Sequence, residues 1–297
     1  MGLLVLLLVA VVLLWLIGAV ALVYALGHPP RKTFAVALAQ GDPTEPADLE
    51  LDAEAVTFSL SDGSRSPGWV IKGSATDGPT VVILHGYGDS RYGSLLRVPL
   101  VQPFSRKVVV FDLPGQGESE SKRGYGGLRE PRDVLAVLSQ LEPGDAERIV
   151  LLGASMGAGV AIAAAAEAAG ELRRAIIGVI AESPYRFWDE PLHNLFRFRR
   201  YPRRPIIPLA GLWFRLTAKG FREFDRAGYA GRLNCPLLVL HGSEDRLCPV
   251  TSAKQIADAA SHGRLVLIEG AGHNDMACEF ADVYARAIGD FMKTLGG

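Results

Sequence analysis

The sequence predicts an α/β fold in which a mostly parallel, doubly wound sheet carries a helical cap insertion and follows an N-terminal transmembrane helix. Three observations lead there. Six short apolar runs recur between residues 80 and 268, helical patterns fall between most of them, and one interval is too long for a simple crossover. The chain has 297 residues, 49% hydrophobic and 21% charged, enough for one large domain with a deep core. A net charge of −1 gives no electrostatic case for nucleic acid. The three cysteines, Cys235, Cys248 and Cys278, lack metal-ligand spacing and read as reduced packing residues.

Taken in order, residues 1–27 come first. Gly2 to Leu26 has no charge, and 17 of its 25 positions are Leu, Ile or Val. A helix of that length crosses a hydrocarbon core of about 30 Å. Ala19-Val20-Ala21 resembles a signal-peptidase site, but the basic n-region of a signal peptide is missing and the apolar run is long for one. The segment is therefore read as an uncleaved single-pass anchor. Arg31 and Lys32 beyond it favour a cytoplasmic domain by the positive-inside rule. Residues 28–54 read as a linker, with Gly41-Asp42-Pro43 and Glu45-Pro46 as breakers.

The main domain is placed at residues 55–297. Ala55–Leu60 and Trp69–Gly73 suggest an opening hairpin. The apolar runs Thr80–Leu84, Val108–Phe111, Ile149–Leu152, Ile176–Ile180, Leu237–Leu240 and Leu265–Ile268 fit strands buried on both faces. Helices are expected at Tyr92–Val101, Leu128–Leu141, Met156–Ala169, Thr251–Ala260 and Met276–Leu295. Residues 184–234 form the insertion, a cap over the strand ends. Within it, Arg186 to Arg232 holds eleven basic against four acidic residues, a balance of +7. Trp188, Phe196, Phe198, Trp213 and Phe214 are interleaved with those charges.

Ligand sites in open parallel sheets form beyond the carboxyl ends of the strands, so the loops there carry the chemistry. His85-Gly86-Tyr87-Gly88 follows the first of these runs, and Asp112-Leu113-Pro114-Gly115-Gln116-Gly117-Glu118-Ser119 the second. Gly153-Ala154-Ser155-Met156-Gly157 turns a strand directly into an alanine-rich helix, which puts Ser155 at the apex. His241-Gly242-Ser243-Glu244-Asp245 and Gly270-Ala271-Gly272-His273 follow the last two runs. Serine, acid and histidine thus stand in chain order, each just past a strand. A serine hydroxyl becomes a nucleophile when a base takes its proton, and that base needs an orienting carboxylate.

Gly-x-Ser-x-Gly on a strand-turn-helix, with acid and histidine following, resembles the α/β-hydrolase superfamily over nearly all of Ala55 to Leu295. Within it the chain is similar to membrane-anchored serine hydrolases of the monoglyceride-lipase-like and serine-aminopeptidase-like branch. The resemblance implies Ser155 as nucleophile, Asp245 as acid and His273 as general base. It also implies an oxyanion hole made by the backbone N–H groups of Tyr87 and Met156. Glu244 and Asp225 are the competing acids. His85 and His241, at strand ends, are expected in structural or oxyanion-loop roles. The Asp112–Ser119 loop is expected to shape the turn beside the site.

No metal or other cofactor is implied. The expected activity is hydrolysis of carboxylic esters through an acyl-enzyme, on a lipophilic substrate such as a monoacylglycerol or a medium-chain ester. A peptidase or acyl-thioesterase would use the same residues, and a non-enzymatic binding protein would be expected to have lost one of them. The anchor, and the basic cap with its aromatics, are the expected contacts with a membrane.

Overall fold

The computed structural model describes residues 2–217 and 224–295. Residues 218–223 of the cap lie outside it, so two of the eleven basic residues counted there, Lys219 and Arg222, are not described. The chain opens with helices α1 (Gly2–Gly27) and α2 (Phe34–Gln40), then strands β1 (Ala53–Ser59), β2 (Arg65–Lys72) and β3 (Thr80–Leu84). Short helices α3 (Arg91–Ser94) and α4 (Val98–Val101) lead to β4 (Lys107–Phe111) and α5 (Glu130–Leu138). Next come β5 (Ile149–Ala154), α6 (Met156–Glu167), α7 (Gly170–Ala175) and β6 (Ile176–Glu182). The cap holds α8 (Glu190–Phe198), α9 (Ile206–Thr217) and α10 (Arg226–Ala230). The chain ends with β7 (Leu237–Gly242), α11 (Val250–Ala259), β8 (Gly263–Ile268), α12 (Met276–Glu279) and α13 (Ala281–Thr294).

The sheet has eight strands in the order β1-β2-β4-β3-β5-β6-β7-β8. β1, β2 and β4 pair antiparallel, and every pairing from β4 to β8 is parallel. This is the mostly parallel α/β-hydrolase architecture. The apolar strands serve two cores by alternation. In β3, Val82 and Leu84 pack with α5, α6, α10 and α11, while Val81 and Ile83 pack with α4 and α13. The small residues of α6 let it lie deep in the first layer, where Met156 through Ala165 are buried.

Two expectations are revised. A continuous helix at Tyr92–Val101 is instead a series of short turns, with 3-10 segments at Leu95–Arg97 and Gln102–Phe104. Pro99 and Pro103 sit at the first positions of successive turns, where each removes a backbone donor. Leu265–Ile268 is not buried on both faces, because β8 is the sheet's outer strand and most of it is partly or fully exposed.

Residues 28–52 lie along the domain. Arg31 donates to the Ser119 and Ser121 carbonyls at 2.7 and 2.5 Å. Lys32 pairs with Asp42 at 2.7 Å and Asp89 at 3.3 Å. Ahead of them, α1 has a mean hydropathy of 3.2 and is long and apolar enough to cross a membrane. Its last turns pack on the cap: Leu22, Val23 and Leu26 meet Leu192, Ile207 and Ala210. A Cβ on Gly18 would stand 2.9 Å from the Ile206 Cδ1, so the helix lies close against that side chain.

A buried ion pair lies at the strand ends, on the side of the second core. The Arg97 guanidinium donates to both Glu182 oxygens at 2.6 Å, and the Tyr284 hydroxyl donates to one of them at 2.8 Å. Arg97→Met should strand the buried Glu182 carboxylate and cost about 3–5 kcal/mol, whereas adding Glu182→Leu should restore part of that loss. Thermal unfolding in detergent checks it, and a double variant no more stable than the single would contradict it.

Candidate active site

The central turn is set by steric demand. Ser155 sits at φ 52° and ψ −113°, a left-handed backbone that an L-residue adopts only under constraint. A Cβ on Gly153 would overlap the Gly157 carbonyl, and one on Gly157 would overlap the Leu84 carbonyl of β3. Glycine at both positions is what lets β5 reverse into α6 against the neighbouring strand. The Ser155 N–H donates to the Glu182 carbonyl at 2.8 Å, so the turn is pinned to β6.

Three side chains from separate loops converge at this turn. Ser155 Oγ lies 2.9 Å from His273 Nε2, and His273 Nδ1 lies 2.7 Å from Asp245 Oδ2. With Nδ1 protonated toward the carboxylate, Nε2 is free to accept the serine proton. The other oxygen of Asp245 accepts from the Leu247 and Cys248 N–H groups, both at 2.8 Å. Burial opposes ionisation of Asp245, yet its bonds to His273 and Cys248 hold the carboxyl below the usual aspartate range. The competing acids lie elsewhere. Asp225 is held by Arg186 at 2.8 Å, and Glu244 is exposed.

The first loop borders the same turn. A Cβ on Gly86 would stand 3.5 Å from the Ser155 Cβ, so Tyr87 begins beside the serine. Among the described residues, neither the Tyr87 nor the Met156 N–H donates to a protein acceptor. His85 braces this loop: its Nε2 accepts from the Leu113 N–H at 2.9 Å, and its Nδ1 lies 2.8 Å from the Gly86 carbonyl. His241 is buried behind Asp245, with Nε2 3.2 Å from the Cys248 carbonyl and 3.5 Å from Asp245. Burial pushes its pKa down, toward the neutral ring. In the second loop, Asp112 is fully buried and takes the Arg91 guanidinium together with the Arg91 and Glu118 N–H groups.

Asp245, Cys248 and His273 are the one cluster of potential metal ligands among the described residues. Its chemistry suits a cation poorly, because Asp245 is already bonded through both oxygens and burial pushes the Cys248 thiol well up.

Ser155 and His273 open into a cavity of about 1000 Å³. Leu192, Leu195, Trp213 and Leu247 line it from the cap side and the β7 loop, and Val23 and Leu26 from α1. The contribution of α1 is absent from the sequence reading. Its signal is weak: the anchor runs on to Leu26 with no polar break before the domain.

A mostly parallel sheet with two antiparallel strands at one edge, a constrained serine turn and a capped cavity over the strand ends define the hydrolase class of α/β proteins. Residues 81–287 match the model of the alpha/beta hydrolase family, and the chain belongs to it. An uncharacterized protein of Mycobacterium tuberculosis is 28% identical over 246 residues, covering 80% of this chain and 78% of its own. The human protein named Serine hydrolase BPHL is 26% identical over 197 residues, covering 58% of this chain and 67% of its own. Among solved structures, an esterase of Pyrococcus furiosus superposes with a TM-score of 0.71 at 24% identity, covering 91% of this chain and 98% of that one.

The depressed Asp245 pKa has a pH consequence. A carboxyl with a folded pKa below its unfolded value, about 3.9, adds stability that is fully present above that value and lost as pH falls through the folded pKa. The stability advantage of the native protein over Asp245→Asn should therefore be largest above about pH 4 and shrink in more acid solution. Denaturant melts of both proteins from mildly acid to neutral pH measure it, and a gap independent of pH would contradict it.

Proposed function

We propose that this chain is a serine hydrolase that cleaves carboxylic esters through an acyl-enzyme on Ser155. The observation that carries the reading is the unbroken hydrogen-bonded chain from Ser155 Oγ through His273 to Asp245 at the floor of the cavity. The likeness to an esterase and to a named serine hydrolase supports the same chemistry.

In this reading Ser155 Oγ attacks the ester carbon while His273 Nε2 takes its proton. Asp245 holds the ring in the required tautomer and stabilises the imidazolium. The carbonyl oxygen becomes an oxyanion and accepts from the Tyr87 and Met156 N–H groups, each worth roughly 3 kcal/mol in such a site. The carbon–oxygen bond to the alcohol then breaks, and His273 returns the proton to the leaving oxygen. A water molecule repeats the sequence on the acyl-enzyme, releases the carboxylic acid and restores Ser155.

The membrane part of the proposal rests on α1, read as an uncleaved anchor. Its packing on the cap begins at Gly18 and Ala19, ahead of any cleavage after Ala21. Arg31 and Lys32, with the exposed Arg199, Arg200, Arg203 and Arg204 of the cap, favour the cytoplasmic side.

A fluorophosphonate should label the native protein at Ser155 and leave Ser155→Ala unmodified. Ester turnover should fall by at least about 10³-fold in Ser155→Ala and by roughly 10⁴-fold in Asp245→Asn, with little further loss when the two are combined. Near-native turnover by folded Ser155→Ala would falsify the assignment. Parallel assays with p-nitrophenyl esters, amides and acyl thioesters identify the preferred bond.

A further inference from the structure

We propose that the last turns of α1 form one wall of the substrate cavity, so that the ester cleaved is a lipid whose acyl chain lies against the anchor and comes from the leaflet around it. The inference rests on the esterase reading above and adds the substrate class and the residues that select it.

Four observations carry it. First, Val23, Leu26 and Gly27 line the same cavity as Ser155 and His273, so one continuous space runs from the serine to the anchor. Second, the anchor is bonded to the loop that borders the serine. The Tyr87 hydroxyl donates to the Ala25 carbonyl at 2.5 Å, and Tyr87 is the residue whose N–H faces the developing oxyanion in the proposed reaction. The Gly27 carbonyl accepts from the N–H of Gly124, another residue lining the cavity, at 2.9 Å. A helix lying loosely over the mouth would make neither bond.

Third, the position of the wall along α1 matches the edge of a bilayer. Residues 2–18 are almost wholly exposed, and at the α-helical rise they span about 26 Å, close to a hydrocarbon core of about 30 Å. Burial begins at Ala19 and Leu22, and Val23 and Leu26 follow within one further turn. Gly18 meets Ile206 at the start of α9, and Arg203 and Arg204 are exposed just ahead of that contact, at headgroup level. The cavity wall therefore sits at the boundary between acyl chains and headgroups.

Fourth, the space suits a chain rather than a compact acyl group. A volume of about 1000 Å³ lies at the top of the range for small-molecule pockets. Leu192 packs against α1 in the same wall, and Leu195 and Trp213 line the cavity from the cap and are also exposed outside. An acyl chain lying along these side chains keeps apolar contacts on the α1 side, although Arg31, Lys32 and Arg123 line other parts of the same cavity, so much of the favourable burial of its methylene groups is kept in the enzyme. A short, water-soluble ester gains nothing from that wall.

The test uses the full chain in vesicles containing monooleoylglycerol, with p-nitrophenyl acetate as the small substrate. Val23→Trp and Leu26→Trp, which fill the space beside α1, should lower the ratio of long-chain to acetate turnover at least about tenfold. A second measurement does not depend on how these variants fold. A fluorophosphonate with a long alkyl chain and a diazirine near its end attaches to Ser155 of the native protein as fluoride leaves. On irradiation it should cross-link to peptides containing residues 23–27. Unchanged chain-length preference, equal loss on both substrates, or cross-links confined to other walls would each overturn the inference and leave the esterase reading standing. Acetate turnover that persists in Ser155→Ala would overturn the esterase reading itself.

Discussion

The constraint on which the site depends is the backbone of Ser155. Its left-handed φ is tolerated because Gly153 and Gly157, two positions to either side, have no Cβ and the turn is bonded from outside. The Glu182 carbonyl that holds the Ser155 N–H belongs to the residue whose carboxylate is gripped by Arg97 and Tyr284. The serine is thus positioned through β6 by a buried ion pair whose partners come from the short turns after β3 and from the C-terminal helix. Both halves of the doubly wound sheet meet under one residue.

Around that point, each neighbouring loop is fixed by a polar group that has little freedom of its own. His85 bridges the first and second loops, Asp112 gathers two donors from Arg91 and one from Glu118, and Asp245 spends one oxygen on its own loop before the other reaches His273. Histidine orientation is therefore inherited from backbone geometry instead of being chosen by a mobile side chain. Preorganisation of this kind lowers the reorganisation needed when charge develops on a substrate.

Much of this was legible from residue types. The strands are apolar and β-branched because they are covered on both faces, and Ser155, Asp245 and His273 each follow such a run within a glycine-bearing loop. Hydrophobicity alone marked α1. What residue types could not carry was its seat against the cavity, since the joining acceptors, the Ala25 and Gly27 carbonyls, are backbone groups present at every position. The tie between Arg31 and the Ser119 and Ser121 carbonyls is hidden for the same reason, because only a guanidinium about ninety residues away identifies the contact. The outer position of β8 was likewise invisible, as its apolar sequence resembles that of the central strands while its neighbours differ.

Those ties at the foot of α1 have a mechanical consequence. Tyr87, Gly124, Ser119 and Ser121 all hold the stretch from Ala25 to Arg31, leaving no free hinge between helix and domain. The domain has no independent swivel about its stalk. Wherever α1 is embedded, its tilt and rotation dictate the attitude of the whole body, and a few degrees of tilt raise or lower the far edge of the cap against its surroundings.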